Sequence, residues 1–318
     1  MKNFSELKTD VAVLAQRSGD TDYLTKIGVW LNMSHKLLAE IYDYWFELQD
    51  VYNFNATDGQ ESYGLPNRFD KPFRLYDITS NNKMTIKTEE QYFDENIANI
   101  ADAVEGQPST ARIFGVQGVT TQISTSGDTV KVKSSSSTES AAIVIRVQGY
   151  VDSSFLIEDF ENITIPAATA STYVAGTTTF YKITHVSKSA NTTGYITVAN
   201  SAGTVLDYIS PVERTVRHKI LKLGLIPNKT YAMCLLFKKT NFEMVSDYDY
   251  PFTECDRYLT LDALGWSYKQ DTKDQQAEFV WGHAKEALQV LLVNQNSKLG
   301  PDYQHKITNV WLEAHRNR

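Results

Sequence analysis

The six histidines are the side chains best suited to acid–base or metal chemistry, and they are dispersed along the chain. They are His35, His185, His218, His283, His305 and His315. Only His283 has a carboxylate, that of Glu286, at helical spacing on the same face. Pairs three residues apart on a helix are usually exposed surface pairs. The histidines therefore predict neither a metal site nor an acid–base pair.

The acidic stretch from Asp247 to Tyr250 resembles the start of a calcium-binding loop, but it lacks that loop's central glycine and terminal glutamate. This pattern favours a turn that leads into Pro251 and caps a helix. The sequence also has no glycine-rich phosphate loop, no nucleophile elbow and no His-Glu-x-x-His motif. It predicts no catalytic, cofactor-binding or metal site, and a protein that is not an enzyme. The paired carboxylates of a glycosidase are the exception, since their spacing is spatial and cannot be read here.

Composition limits the remaining classes of protein. The two cysteines, Cys234 and Cys255, are too few for a disulfide framework or a cysteine zinc site, and they favour buried thiols in a reducing compartment. The net charge of −7 argues against a general nucleic-acid binder. Residues 1–5 lack the apolar run of a signal peptide, and no window approaches about 18 uninterrupted apolar residues. We therefore expect synthesis in a cytosol and no membrane span.

The first part of the chain has helical spacing. Ser5 is placed to cap a short helix whose face is Leu7, Val11 and Leu14, and a longer helix is predicted over residues 22–49. The apolar arc of the longer helix is wide, which is typical both of a subunit contact and of a helix buried in its own domain. The candidates for a subunit interface are Trp30, Leu37, Tyr44, Trp45 and Phe46.

Two local patterns follow this helix. Phe73 to Ile86 predicts a β-hairpin around the turn residues Ser80-Asn81-Asn82. Thr88 to Gln91 is a capping box that opens a helix, which Gly106 and Pro108 end.

The middle of the chain changes in kind, because short β-branched runs alternate with turns rich in Ser, Thr, Asn and Gly. This pattern predicts a β-sandwich over residues 116–229. Residues 1–115 and 230–300 then form the two parts of a helical domain that carries the sandwich as an insertion, an α+β multidomain fold. The later helices are expected over residues 252–266 and 272–297. Residues 301–318 are too short to own a core and predict a docking tail.

Three stretches have the layout of a known family. They are the opening helices that end near Trp45, the segment from Leu65 to Asp94 with its hairpin and capped helix, and the strand Tyr231 to Lys239 followed by an Asp-and-Pro turn and two helices. In this layout the chain resembles the head-to-tail connector (adaptor) proteins of tailed bacteriophages, which form a ring beneath the portal. The β insertion departs from simpler connectors, and it is similar to the immunoglobulin-like domains that decorate phage virions.

The resemblance implies a structural virion protein of the neck, made in the host bacterial cytoplasm and using no cofactor. It implies a ring of about twelve copies between the portal and the tail proteins, with an acidic lumen through which DNA passes without specific binding. The tail would dock on the portal through Ile307, Trp311 and Leu312. Two alternatives stay open. They are another tail, baseplate or fibre-attachment protein, and a carbohydrate-binding module with the sandwich as its site.

Overall fold

The computed structural model describes residues 1–92, 104–124, 126–168 and 172–298, with side chains up to residue 295. The chain divides into two compact units. The terminal unit comprises Met1–Asp50 and the chain from Lys238 onward, and the central unit is Val51–Phe237.

The expected fold class is wrong. The described residues form 17 strands, and strands rather than helices make up most of the regular structure. An α-helical connector module with one inserted immunoglobulin-like sandwich does not describe this chain, because much of the sequence outside the sandwich folds as a barrel-like sheet of seven strands. The portion assigned to a helical host from the flanking helices was therefore too large.

The helices of the terminal unit differ by a few residues from those predicted. They are α1 (Phe4–Leu14), α2 (Thr21–Ile41), α3 (Asp256–Gln270) and α4 (Asp274–Lys298), with a 3₁₀ turn at Phe46–Leu48. Asn3, not Ser5, caps α1, because its side chain accepts from the Glu6 amide while the Glu6 side chain accepts from the Asn3 amide. The predicted helix over residues 22–49 ends eight residues early, at Ile41.

Lys238, a buried lysine of the strand Tyr231–Lys239, caps the C-terminal end of α2. The Lys238 ammonium donates to the carbonyls of Ala39 at 2.7 Å and Tyr42 at 3.3 Å, and to Asp43 Oδ1 at 3.1 Å. The last carbonyls of a helix have no partner within the helix and carry its negative dipole end. The Lys238 ammonium gives two of these carbonyls a hydrogen-bond donor and places a positive charge at the negative end of the dipole.

The strands, in chain order, begin with those before the sandwich: β1 (Gln49–Ala56), β2 (Ser62–Gly64), β3 (Phe69–Asp77), β4 (Asn82–Lys87), β5 (Glu105–Gly106) and β6 (Thr110–Gln117). The sandwich contains β7 (Asp128–Ser134), β8 (Ile143–Tyr150), β9 (Glu158–Ile165), β10 (Val174–Phe180), β11 (Lys182–Lys188), β12 (Ile196–Asn200), β13 (Val205–Ile209) and β14 (Thr215–Val216). The last strands are β15 (His218–Leu223), β16 (Ile226–Pro227) and β17 (Tyr231–Lys239).

Seven strands form one curled sheet in the order β1-β17-β3-β4-β6-β15-β2. Its two edge strands meet, since the rings of Phe54 in β1 and Tyr63 in β2 lie 5.3 Å apart. The Tyr63 hydroxyl also accepts from the Thr57 amide at 2.9 Å. Leu75 and Met84 are buried in the interior. The sheet is thus a nearly closed barrel.

The predicted hairpin and the predicted capping box are both confirmed. The hairpin is β3–β4, with Leu75 paired to Met84. In the capping box the Gln91 amide donates to the Thr88 hydroxyl at 3.4 Å, and the Thr88 amide donates to Gln91 Oε1 at 3.3 Å. Most of the helix that this box opens lies outside the described residues.

The sandwich consists of two four-stranded sheets, β10-β7-β12-β13 and β14-β11-β8-β9. Alternate residues of each strand meet in a shared core that includes Val132, Ile145, Ile163 and Val198. A sandwich in this stretch was predicted, but β6, β15 and β16, which lie within the predicted range of 116–229 or overlap it, belong to other sheets.

The chain leaves the barrel for the sandwich and returns to it between two neighbouring strands. Gln117 at the end of β6 is paired with His218 at the start of β15. Gly118 follows directly, and a Cβ atom there would lie 2.6 Å from the backbone nitrogen of His185. Only glycine permits this approach, which packs β11 of the sandwich against the segment that leaves β6.

A buried ion pair joins the sandwich to the barrel at this point. His218 Nε2 lies 2.6 Å from Asp207 Oδ2 of β13, and its Nδ1 lies 2.7 Å from the Leu65 carbonyl. Thr120 donates to the other Asp207 oxygen at 2.9 Å. Burial opposes the charged ring, but the hydrogen bond to Asp207, the charge of Asp207 and the Leu65 carbonyl outweigh it and raise the pKa of His218 above 6.5.

We expect His218 to stabilise the protein fully below pH 6.5 and progressively less as pH rises through its raised folded-state pKa, because the folded state then loses the extra proton. The measurement is the unfolding free energy of the wild type minus that of His218→Gln, from about pH 5 to about pH 9. His185→Gln is the control with the opposite trend. Burial, Arg217 and Arg146 lower the pKa of His185, so its contribution is lost as pH falls. A His218 difference that does not change with pH would contradict the assignment.

We expect Lys238→Met to lower the free energy of unfolding by about 2–3 kcal/mol, because charge-assisted bonds to the end of α2 are lost from a buried position. Denaturant titration measures this loss. The matched control is Lys239→Met, since Lys239 makes a partly exposed ion pair with Asp50 at 3.5 Å. The control should change stability by less than about 0.5 kcal/mol. Equal losses in the two variants would rule out a special role for Lys238.

Candidate interaction surface

The five residues predicted for a subunit interface mostly contact the core of their own unit. Trp45 has no exposed surface, and its indole nitrogen donates to the Leu38 carbonyl at 2.9 Å. Leu37 is also buried, while Trp30 and Tyr44 are half-buried and pack on the core. Phe46 is exposed. The docking residues predicted for the portal, Ile307, Trp311 and Leu312, lie outside the described residues.

The candidates for chemistry hold structural contacts. His283 and Glu286 form the exposed helix pair that was predicted, 3.2 Å apart. The acidic stretch is a turn, as predicted, because Asp249 Oδ2 accepts from the backbone amides of Val245 and Ser246 at 2.7 Å. It does not cap the next helix, whose N-cap is Cys255. Burial raises the pKa of the Cys255 thiol well above its usual range, which makes this thiol inert.

Nothing in the described part of the chain assembles a metal site, since no three His, Cys, Asp or Glu side chains there are grouped to hold an ion. None of the helices described is both long enough and apolar enough to cross a bilayer.

The most unusual surface feature of the central unit is the loop between β8 and β9. Phe155, Leu156 and Ile157 are three consecutive apolar residues, and all are exposed. Leu156 is the extreme case, with 83% of its surface in solvent. We call these three residues the apolar tip. Single exposed apolar residues are common, but a contiguous exposed group usually marks an interaction site.

One carboxylate holds the tip in a fixed shape. Asp152 accepts from the amides of Ser154 at 3.1 Å, Leu156 at 3.0 Å and Ile157 at 2.7 Å. The hydrogen bonds from these amides lower the pKa of Asp152, and the bond from Ile157 has the largest effect. Phe155 adopts a left-handed backbone conformation, with φ of 53°. A non-glycine residue persists in that region only when its surroundings determine it. The apolar tip is therefore preorganised.

The surroundings of the tip are mixed in character. Two exposed acidic residues, Glu158 and Asp159, follow the tip directly in the sequence. Phe160 comes next in β9 and is also exposed, with the Arg146 guanidinium 3.8 Å from its ring centroid.

The terminal unit also exposes apolar side chains on the outer faces of two helices. Val29 and Met33 lie one turn apart on α2. Phe279, Val290 and Val293 lie along α4. Val13 and Leu14 at the end of α1 are exposed as well, whereas the arc that contains Trp45 is mostly covered.

The sequence reading missed the apolar tip. Its signal was a run of three apolar residues, Phe155 to Ile157, preceded by Asp152-Ser153-Ser154. Such a run is indistinguishable from a short buried strand until the position of the chain in the fold is known.

Comparison with known proteins adds no identification. No protein-family model matches the chain, and no curated protein matches it either.

We expect Asp152→Ala to loosen the apolar tip without unfolding the sandwich, because it removes the acceptor for three amides on the surface. Hydrogen exchange at Leu156 and Ile157 should speed up by about tenfold or more, while exchange in β8 stays unchanged. Asp152→Asn is the matched control, since it keeps one acceptor oxygen and should show a smaller change. Unaltered exchange at the tip in Asp152→Ala would show that the loop is held by other contacts.

Proposed function

We propose that this protein is a structural, non-catalytic subunit of a virion assembly, and specifically of the head-to-tail connector ring in the neck of a tailed bacteriophage. The observation that carries the assembly role is the apolar tip, Phe155 to Ile157, which is held in shape and left uncovered. The three stretches of sequence that resemble connectors support the more specific assignment.

An assembly role explains why the tip is rigid. The side chains of Leu156 and Ile157 contribute little hydrophobic stabilisation to the folded chain, since most of their surface remains in water. Their burial becomes favourable only against another molecule, at about 25 cal/mol per Å² of apolar surface covered. A loop already fixed by Asp152 loses little conformational entropy when it binds. Rigid apolar projections are thus suited to repeated contacts between subunits.

The uncovered helix faces fit the same role. A ring requires each copy to present two different surfaces, so that a heterologous contact closes under rotation. The tip of the central unit and the α2 and α4 faces of the terminal unit provide separate apolar surfaces of this kind. The net charge of −7 suits a lumen that DNA crosses without adhering.

The test compares the mass of the purified protein alone with its mass after mixing with the portal, followed by negative-stain imaging. We expect a ring of about twelve copies on the portal. Leu156→Asp should reduce ring formation by about tenfold or more, because a charge replaces an apolar contact. Val212→Asp is the matched control, since Val212 is a 69% exposed apolar residue elsewhere in the sandwich.

The outcomes separate the candidates. Failure to bind the portal would reject the connector assignment. A small oligomer that ignores the portal and still depends on Leu156 would favour another tail or baseplate protein. Rings that form equally well in Leu156→Asp and Val212→Asp would remove the tip from the assembly contacts.

A further inference from the structure

One sheet of the sandwich turns a chemically distinct face to solvent. In β7, Val130 and Val132 point into the core, so Lys131 and Lys133 point outward from the sheet β10-β7-β12-β13. Three tyrosines lie on the same outer side. We call the set the tyrosine–lysine face, and its members are Lys131, Lys133, Tyr173, Tyr195 and Tyr208.

Strand pairing aligns part of this face in a row. Lys133 is paired with Thr197, and Thr197 is paired with Tyr208. Val174 is paired with Val132, which places Tyr173 beside Lys133 at the other end of the row. Four strands at the usual spacing make the row about 14 Å long. Tyr173 and Tyr208 therefore stand at the two ends of the row, and the Lys133 ammonium lies over the ring of Tyr173.

The rings of Tyr195 and Tyr208 are available for stacking. Tyr195 and Tyr208 are both about half-exposed, and they contact each other edge to face with centroids 5.6 Å apart. At the other end, Lys131 and Lys133 lie 4.8 Å and 4.5 Å from the centroid of Tyr173. The core of the sandwich needs none of these side chains.

The charge of the face is positive, opposite in sign to the net charge of the chain. Lys131 donates to the Ser201 carbonyl at 2.8 Å, and within the described residues neither Lys131 nor Lys133 has a carboxylate partner. The whole chain has a net charge of −7. Two such lysines beside exposed tyrosines match a ligand that is anionic and presents flat apolar faces.

We propose that the tyrosine–lysine face binds an acidic polysaccharide. A sugar ring stacks its C–H face on Tyr208, and the carboxylates of uronic acid units pair with Lys131 and Lys133, which lie over the ring of Tyr173. Nucleic acid is disfavoured, because duplex DNA carries one negative charge about every 1.7 Å, and an acidic chain repels it more strongly than a polymer with one carboxylate per sugar. The proposed binding is separate from the assembly role and does not rest on it.

The experiment measures binding of the full chain to polygalacturonate by calorimetry, with neutral galactan as the comparison polymer. We expect binding to polygalacturonate alone, weakened by added salt. Lys133→Glu should abolish it, whereas Lys133→Arg should retain it. Tyr208→Ala should weaken it about tenfold through lost ring contacts.

Matched controls test whether the effect belongs to this face. Lys229→Glu reverses an exposed lysine that also lies over a tyrosine ring, 5.3 Å from the centroid of Tyr231, elsewhere in the central unit. It should leave binding unchanged. The proposal is overturned by no binding, by equal binding to galactan, by an equal effect of Lys229→Glu, or by tighter binding of single-stranded DNA. Circular dichroism of each variant establishes that loss of binding is not loss of fold.

Discussion

The pairing of β6 with β15 is the constraint on which the central unit depends, because these two strands both complete the barrel sheet and carry the sandwich. Their register places Gln117 opposite His218. A slip of one residue would turn every side chain of a strand to the opposite face of the sheet. Leu221 would then leave the barrel interior, and His218 would lose both Asp207 and the Leu65 carbonyl. Gly118, the residue after Gln117, brings the sandwich close to this junction, since a Cβ atom there would lie 2.6 Å from the backbone nitrogen of His185.

Features that depend on neighbouring residues could be predicted from the sequence, and those that depend on distant ones could not. The hairpin of β3 and β4, the Thr88–Gln91 capping box and the His283–Glu286 pair are all set within a few residues of chain. The barrel brings together strands from far apart in the sequence, and this pairing leaves no period that can be read. Lys238 likewise ends a helix that lies about two hundred residues earlier in the chain.

The functional surfaces illustrate a second limit. The wide apolar arc around Trp45 had two interpretations, and in the described structure it faces the core of its own unit. A sequence specifies that a side chain is apolar, but it does not specify which surface covers it. The apolar tip gave the opposite problem, because sequence alone cannot distinguish the run from Phe155 to Ile157 from a short buried strand. Only the amides gathered by Asp152 show that these residues project from a turn.

The side-by-side departure and return of the chain at Gln117 and His218 has an evolutionary consequence. Directly paired residues of antiparallel strands lie about 5.5 Å apart or closer, a gap that a two-residue turn bridges. The sandwich is therefore a module that can be gained, lost or exchanged in a single genetic event without rethreading the barrel. A shortened chain with such a turn in place of the sandwich would therefore keep the strand order of the barrel.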